Sequence, residues 1–197
     1  MPKLVDHDMR RRAITAAVWR LIAARGIDRV TMRDIATEAG FANGSLSHYF
    51  SGKDDILRLA FQHVFEATNI RIAARLGRAT GLAAIRVFCR EVLPITDETL
   101  LEARIATSLW QRAMYDAQMY DINARAMREW RALLTEFFGQ ARQAGDIGAI
   151  DVGTVVEQLL NMMMGAQILG VLTPDITTAR RQLDMLESFL DALPHPA

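Results

Sequence analysis

Residues 31–57, TMRDIATEAGFANGSLSHYFSGKDDIL, decide how the rest of the chain is interpreted. Two short segments with apolar and polar faces lie on either side of Gly40, and small polar residues crowd the second one. Three interpretations of this second segment are possible. It is a catalytic loop built on serine and histidine, an ordinary solvated turn, or a surface that contacts a charged partner.

A catalytic site at Ser45, Ser47 and His48 would need a base that contacts the nucleophile and a third group that orients the base. Ser47 and His48 are adjacent on a predicted helix, so their side chains point about 100° apart. No Gly-x-Ser-x-Gly motif and no His-Glu-x-x-His motif occur, and the four histidines are widely spaced in the sequence. We therefore expect no enzyme activity, no metal site and no cofactor.

The hydrophobic pattern is helical throughout, without the strict alternation that is typical of half-buried strands. Helix caps and breakers divide the chain into about nine predicted helices. The predicted spans are 8–25, 31–40, 43–49, 53–76, 81–93, 97–114, 116–144, 151–172 and 177–193. The sequence thus predicts an all-α protein with a three-helix head at 1–53 and a helical bundle at 54–197.

The second and third predicted helices have the sizes and spacing of a helix-turn-helix. Ala36 permits close approach of the two helices, and Gly40 permits a left-handed backbone at the turn. The residues expected to form the buried seam between them are Ile35, Ala39, Phe41 and Leu46. In this geometry the N-terminal part of the third helix faces the base edges of the major groove.

The charge distribution favours contact between the head and a polyanion. Residues 1–53 contain nine Lys or Arg and five Asp or Glu, whereas the remaining residues contain fourteen and eighteen. A chance distribution of solvated charges is the alternative. The asymmetry agrees with a DNA-binding head joined to a body that does not contact DNA.

Individual DNA contacts follow from the chemistry of the side chains. Asn43 can pair with adenine, while Ser45, Ser47 and His48 can bond to base edges, and Gly44 lets the backbone come close. Tyr49 and Lys53 suit phosphate contacts. Thr31 and Arg33, at the positive end of the second helix, suit a phosphate on the flanking strand. For His48 and Tyr49 the alternative is packing between helices, and Phe50 is expected in the core.

The stretch 31–57 resembles the DNA-binding signature of TetR-family transcriptional regulators. The matching elements are Thr-x-x-x-Ile-Ala, Ala-Gly, Gly-x-Leu and Tyr-Phe-x-x-Lys. The MPKL start, Arg10 to Arg12 and the SHYF segment are similar to the BetI-type branch. The resemblance implies a homodimer with an N-terminal helix-turn-helix and a C-terminal domain that binds a ligand and dimerises. It also implies a repressor that leaves a palindromic operator when a small-molecule effector binds.

Two residues depart from the family pattern. Many members have serine or threonine at the position of Ala42, where the hydroxyl caps the recognition helix, and many have tyrosine at the position of Ser47. Alanine cannot cap through its side chain. The departures put the usual cap-and-phosphate contact in doubt and suggest a different base-contact surface.

The last two predicted helices carry an apolar excess that favours a partner subunit. Residues 155–172 are apolar on nearly all sides, and the final helix has one apolar stripe. A core within a single chain is the alternative. By resemblance the two helices form a four-helix dimer interface. The expected interface residues are Val155, Leu159, Met163, Leu183, Leu186, Phe189 and Leu190.

An effector pocket is expected among the central helices, although residues of each of these types more often belong to a plain core than contact a ligand. Asn161 and Gln167 are useful indicators because buried amides need hydrogen-bond partners. Aromatic side chains near acids could bind a quaternary ammonium such as choline. The candidate pocket residues are Trp110, Met114, Asn123, Met127, Trp130, Asn161, Met164 and Gln167.

The N-terminus lacks the apolar run of a signal peptide, and Cys89 is the single cysteine. These features favour a cytoplasmic protein. The functional alternative to a DNA-binding regulator is an all-α ligand-binding or protein-interaction module without DNA binding.

Overall fold

A computed structural model describes residues 3–26, 29–42, 46 and 50–196 of the chain. These residues form eight α-helices and contain no β-strand. The helices are α1 (Lys3–Arg25), α2 (Met32–Glu38), α3 (Lys53–Leu76), α4 (Gly81–Val92), α5 (Asp97–Ala113), α6 (Ala117–Ala144), α7 (Val152–Leu172) and α8 (Ala179–Asp191).

The all-α prediction is confirmed, and seven of the eight helices, α2 to α8, begin and end within two residues of the predicted bounds. Helix α8 has Thr178 as its N-cap. The start of α1 is the larger difference, since the helix begins at Lys3 rather than at Asp8. No glycine or proline lies between these two positions, so nothing in the sequence delays the helix. The predicted helix at 43–49 lies outside the described residues.

The head packs α1 against α2 and against the first half of α3. The predicted inner face of α1 is buried, and it consists of Ile14, Ala17, Val18, Leu21 and Ile22. Two ion pairs, Arg20 to Glu38 at 2.7 Å and Arg25 to Asp34 at 3.3 Å, join α1 to the segment of α2. Gly40 follows α2 with φ +75°, the left-handed conformation that the turn was expected to need.

The body surrounds a continuous apolar core formed by α3 to α8. Helix α4 packs on α3 and α6, and α5 packs on α3, α6 and α7. Trp130 on α6 is held at the centre, because its ring meets the edges of Phe65 and Phe88 and its Nε1 donates to Asn69 Oδ1 at 2.8 Å. This arrangement places the middle of α5 and α6 around the cavities described below.

Helix α7 is, by length and composition, the one helix within the described ranges that could cross a membrane. Its buried residues are instead packed inside the protein, chiefly against α5 and α6. They are Val155, Val156, Leu159, Leu160, Met163, Ala166, Gln167 and Gly170. We therefore interpret α7 as a core helix of the bundle.

The same burial changes the dimer surface expected from the sequence. Five of its seven residues are buried within a single chain, which leaves them little surface for a partner: Val155, Leu159, Met163, Leu186 and Leu190. Leu183 and Phe189 are partly exposed. The reason for the difference is that α7 is apolar on nearly all sides, so its sequence does not reveal which side faces inward.

Candidate effector site and DNA-binding head

The start of α2 is fixed by a capping box. Thr31 Oγ1 accepts from the Asp34 amide at 3.2 Å, and the Thr31 amide donates to Asp34 Oδ2 at 3.0 Å. The Thr31 hydroxyl also donates to Asp34 Oδ2 at 2.6 Å. These bonds from Thr31, together with the nearby Arg25 guanidinium, lower the pKa of Asp34 below its usual value. The Thr31 side chain is thus engaged within the head.

Of the nine residues expected to contact DNA, the structure describes Thr31, Arg33 and Lys53. Arg33 is exposed on α2, and Lys53 is the first residue of α3. Leu46 and Phe50 are buried, as expected for residues that hold the head together. The other expected contacts lie outside the described residues: Asn43, Gly44, Ser45, Ser47, His48 and Tyr49.

A small closed cavity of about 20 Å³ lies between α3, α5, α6 and α7. Three aromatic side chains, Phe65, Trp110 and Trp130, form part of its wall. The polar residues that line it are Thr68, Thr99, Glu102 and Gln167. Gln167 uses its Nε2 to donate to the Val92 carbonyl at 3.3 Å, so part of its amide is already engaged.

Glu102 belongs to a buried charge cluster that joins α3, α4 and α5. Both of its carboxylate oxygens accept from Arg71, each at 2.6 Å, and Oε2 also accepts from Thr68 at 3.1 Å. Arg71 also bonds to Glu91 Oε2 at 3.2 Å and Glu98 Oε1 at 3.5 Å. The bond to Glu102 is the main cause that raises the pKa of the Arg71 guanidinium.

A larger open cleft of about 510 Å³ adjoins the closed cavity. It is lined by Trp110, Ala113, Met114, Tyr120, Asn123 and Met164. Met114 and Tyr120 are largely exposed. Trp110 and Met164 line the cavity as well as the cleft, so these two side chains lie between them.

Ion pairs connect the turn between α5 and α6 to the start of α3. Arg112 Nη1 bonds to Asp54 Oδ1 at 2.7 Å, and Arg58 Nη1 bonds to Asp116 Oδ2 at 3.1 Å. Asp116 is also the N-cap of α6, where its Oδ1 accepts from the Met119 amide at 2.9 Å. Arg58 and Ser51 both bond to Asp55, which ties the segment after Phe50 to the first turn of α3.

The comparisons with known families match nearly the whole of this architecture. Residues 14–60 match the model for bacterial regulatory proteins of the tetR family. Residues 82–195 match the model for the C-terminal domain of BetI-type transcriptional repressors. The chain belongs to the TetR family. It is therefore a DNA-binding transcriptional regulator of the helix-turn-helix class.

Individual relatives agree with this assignment. The HTH-type transcriptional regulator PksA of Bacillus subtilis is 34% identical over 122 residues, which are 61% of this chain and 60% of that protein. The HTH-type transcriptional regulator BetI of Burkholderia ambifaria is 25% identical over 201 residues, and the match covers 98% of each chain.

Solved structures show the same fold. A transcriptional regulator from Saccharomonospora viridis in complex with choline superposes with a TM-score of 0.86 at 22% identity, covering 92% of this chain and 95% of that one. A TetR transcription regulator from Haloarcula marismortui gives a TM-score of 0.84 at 20% identity, covering 94% and 98%.

The pocket residues expected from the sequence divide into four groups in this TetR-family chain. Trp110, Met114, Asn123 and Met164 meet at the open cleft, and Trp130 and Gln167 line the closed cavity with Trp110 and Met164. Met127 is partly buried and packs against the core. Asn161 is exposed and is absent from the walls of both spaces, so we remove it from the candidate site.

The charged part of the site was not among the residues predicted from the sequence. Glu102 lies on the buried stripe of α5 together with Ala106 and Leu109, at helical spacing. A carboxylate on an otherwise apolar stripe was therefore the signal that could have indicated it. Cys89 has no such role, because full burial raises the pKa of its thiol and keeps it protonated.

Proposed function

We propose that this TetR-family chain is a homodimeric repressor that binds a palindromic operator and leaves it when an organic cation binds between α3, α5, α6 and α7. The observation that carries the proposal is the position of the turn between α5 and α6. Trp110, Met114 and Asn123 near this turn line the open cleft, while Arg112 and Asp116 in the same segment hold the start of α3. A ligand in the cleft would therefore act on α3, which carries the head, through these two ion pairs.

Charge favours a cation as the effector. The cluster beside the closed cavity contains three carboxylates, Glu91, Glu98 and Glu102, and two guanidinium groups, Arg71 and Arg75. Of these charged groups, Glu102 lines the cavity together with Phe65, Trp110 and Trp130, whose ring faces attract cations. The choline bound to the regulator from Saccharomonospora viridis supports this chemistry by analogy.

For the head, we propose a division at the start of α3, with residues 1–53 binding DNA and residues 54–197 binding the effector and the partner subunit. Asn43, Gly44, Ser45, Ser47 and His48 would read base edges. Tyr49 and Lys53 would contact phosphates. Because the hydroxyl of Thr31 is used by the capping box, the phosphate contact at α2 would depend on Arg33 and the backbone amides.

For the dimer, we propose a surface on the exposed side of α7 and the segment after it. The large apolar side chains exposed there are Ile168, Leu169, Leu172, Ile176 and Met185. Gly165 lies on the same side of α7, and a Cβ added to it would meet no atom within 4 Å. A partner helix can therefore approach α7 closely at this point. Leu183 and Phe189, both partly exposed, remain candidate contacts at the edge.

The proposal is tested by selecting bound duplexes from a random DNA pool with the purified full-length protein, followed by release measurements. We expect a palindromic sequence, in keeping with two heads related by a twofold axis. Addition of choline or another quaternary ammonium ion should lower the affinity for that duplex. A selected site without twofold symmetry contradicts the dimer model. An operator affinity that no organic cation changes contradicts the effector model. The expected location of such a regulator is the cytoplasm, where the operator is.

A further inference from the structure

An outer groove of about 510 Å³ lies between the N-terminal halves of α3 and α6. Its apolar lining comes from Phe50, Leu59 and Ile122. Among the residues that the structure describes, none lines both this groove and either of the two spaces at the proposed effector site. Its volume is within the range of about 300–1,000 Å³ that is usual for small-molecule pockets, so the outer groove is a candidate for a separate ligand site.

Four charged side chains line the outer groove, two carboxylates and two guanidinium groups. Asp55 and Arg58 on α3 already bond to each other, and Arg58 also bonds to Asp116 at 3.1 Å. Asp121 and Arg125 on α6 are exposed, and their side chains form no hydrogen bond or ion pair within the described part of the chain. The charges of the groove are therefore balanced, with one carboxylate and one guanidinium group available to a ligand.

Asp121 and Arg125 are separated by about one helical turn. Side chains four residues apart on a helix are neighbours, with Cβ atoms about 5–6 Å apart, and an acid that precedes a base at this spacing favours a direct ion pair. Here the pair is not formed, and both side chains line the same groove. A ligand whose ammonium and carboxylate share one carbon atom can bond to both, because charge-assisted bonds of about 2.8 Å on each side span the separation.

Neighbouring charges disfavour a ligand that carries charge of one sign. Glu66 and Glu129 line the space that adjoins the groove at Arg125, so they would repel a simple anion on this guanidinium. A simple cation on Asp121 would lie beside the unpaired guanidinium of Arg125. A zwitterion has no net charge, so each of these repulsions is offset by the attraction of its other end.

We propose that the outer groove binds a free α-amino acid with an apolar side chain. The ammonium group bonds to Asp121, the carboxylate bonds to Arg125, and the apolar side chain lies on Leu59 and Ile122. Phe50, which is buried in the head, lines the same space, so the ligand contacts head and body together. Binding of the amino acid and of the operator is therefore coupled. This inference goes beyond the proposed function, because it assigns a second ligand to a separate site.

The test uses L-leucine and two analogues with the full-length protein in titration calorimetry. Isopentylamine lacks the carboxylate of leucine, and isocaproate lacks its ammonium group. We expect each analogue to bind at least roughly tenfold more weakly than L-leucine, because each loses one bond to a charged group. If either analogue binds as tightly as L-leucine, or if L-leucine does not bind, the proposal is wrong. This comparison requires no variant to fold.

Two variants assign the charges of the ligand to their partners. Arg125→Gln should weaken L-leucine binding roughly tenfold and leave isopentylamine binding unchanged. Asp121→Asn should weaken L-leucine binding similarly and leave isocaproate binding unchanged. Arg128→Gln, an exposed arginine on the same helix that does not line the groove, is the matched control and should bind L-leucine as the wild type does. An L-leucine affinity that neither Arg125→Gln nor Asp121→Asn changes would overturn the site.

Coupling to the head is measured by repeating the L-leucine titration with the selected operator bound. The dissociation constant should change roughly fivefold or more, and an unchanged value would overturn the contact with the head. The outcomes also separate this inference from the proposed function. If L-leucine does not bind while an organic cation releases the operator, only the present inference is wrong. If L-leucine binds as expected and no organic cation releases the operator, only the effector model is wrong.

Discussion

Arg112 Nη1 donates to Asp54 Oδ1 over 2.7 Å, and this contact joins the last turn of α5 to the first turn of α3. The two residues are 58 positions apart in the sequence. Helix α3 packs against the head and also lines the closed cavity with Val64, Phe65 and Thr68. The contact is therefore on a path from the proposed effector site to the head.

The first prediction is that Arg112→Ala weakens the coupling between effector and operator. Coupling free energies of this kind are typically about 1–3 kcal/mol, so the ratio of operator affinities without and with effector should fall roughly fivefold or more. Stability should change by less than about 1 kcal/mol, because the pair is exposed. Fluorescence anisotropy with the selected operator measures the ratio.

The matched control for this prediction is Arg104→Ala. Arg104 is exposed on the same helix, and its side chain is outside the ion pairs described above. This variant should keep the wild-type ratio. If Arg112→Ala also keeps the ratio, the turn between α5 and α6 does not transmit the signal through Asp54.

The second prediction concerns the two kinds of DNA contact. Lys53→Ala should weaken binding to all duplexes alike, since a phosphate contact carries no sequence information. The number of counterions released on binding, measured from the salt dependence of the binding constant, should fall by about one. Asn43→Ala should relax specificity at one base pair, because about 1–3 kcal/mol of discrimination against the wrong base is lost there. Titrations of the selected operator and of single-base variants at several salt concentrations distinguish the two. Exchange of these effects between the two variants would contradict the assigned roles.

The third prediction is that Glu102→Gln destabilises the body. Removing one partner of a buried pair leaves the other charge uncompensated, which costs about 3–5 kcal/mol. We expect a value near the lower end, because Arg71 keeps its bonds to Glu91 and the Glu91 carbonyl. Urea unfolding measures the change. Arg75→Ala is the control, since Arg75 is largely exposed and its loss should cost no more than about 1 kcal/mol.

The helix boundaries could be predicted because their signals are local. Thr96, Asp116, Asp151 and Thr178 each accept a hydrogen bond from the backbone of the helix that they cap. Such a contact spans two or three residues, so residue type and position are sufficient to indicate it. The left-handed turn at Gly40 is another local feature of this kind.

The site could be predicted only in part because it depends on which helix faces meet. Asn161 and Gln167 lie on the same apolar helix, and both were predicted from the sequence to be buried amides. The structure exposes Asn161 and buries Gln167. The bond between Arg71 and Glu102 joins residues 31 positions apart, so it follows from the packing of α3 on α5 rather than from any local pattern.

The fourth prediction is that Leu169→Glu converts the dimer to a monomer. Leu169 is half-exposed on the proposed dimer surface, and a buried, unpaired carboxylate there would strongly disfavour association. Sedimentation velocity should show the mass of one chain, and operator affinity should fall because one head alone contacts a single half-site. Ala73→Glu, on the exposed side of α3, should remain dimeric. A dimeric Leu169→Glu protein would contradict the surface proposed on α7.

The last prediction concerns acid. Hydrogen bonds from Ser51, followed by the Arg58 guanidinium, lower the pKa of Asp55 to about 2 from an ordinary value of 3.8. A lowered pKa in the folded state means that the interaction stabilises the protein fully above the unfolded value and is lost as the pH falls towards the folded one. The thermal midpoint of the wild-type protein should therefore exceed that of Asp55→Asn by a constant amount between about pH 5 and 7. Below about pH 4 this difference should shrink, and it should be largely gone near pH 2.

Asp175→Asn, in an exposed turn, is the matched control, and its midpoint should follow that of the wild type throughout. A difference for Asp55→Asn that stays constant down to pH 2 would mean that Asp55 does not hold the segment after Phe50 to α3 through its charge.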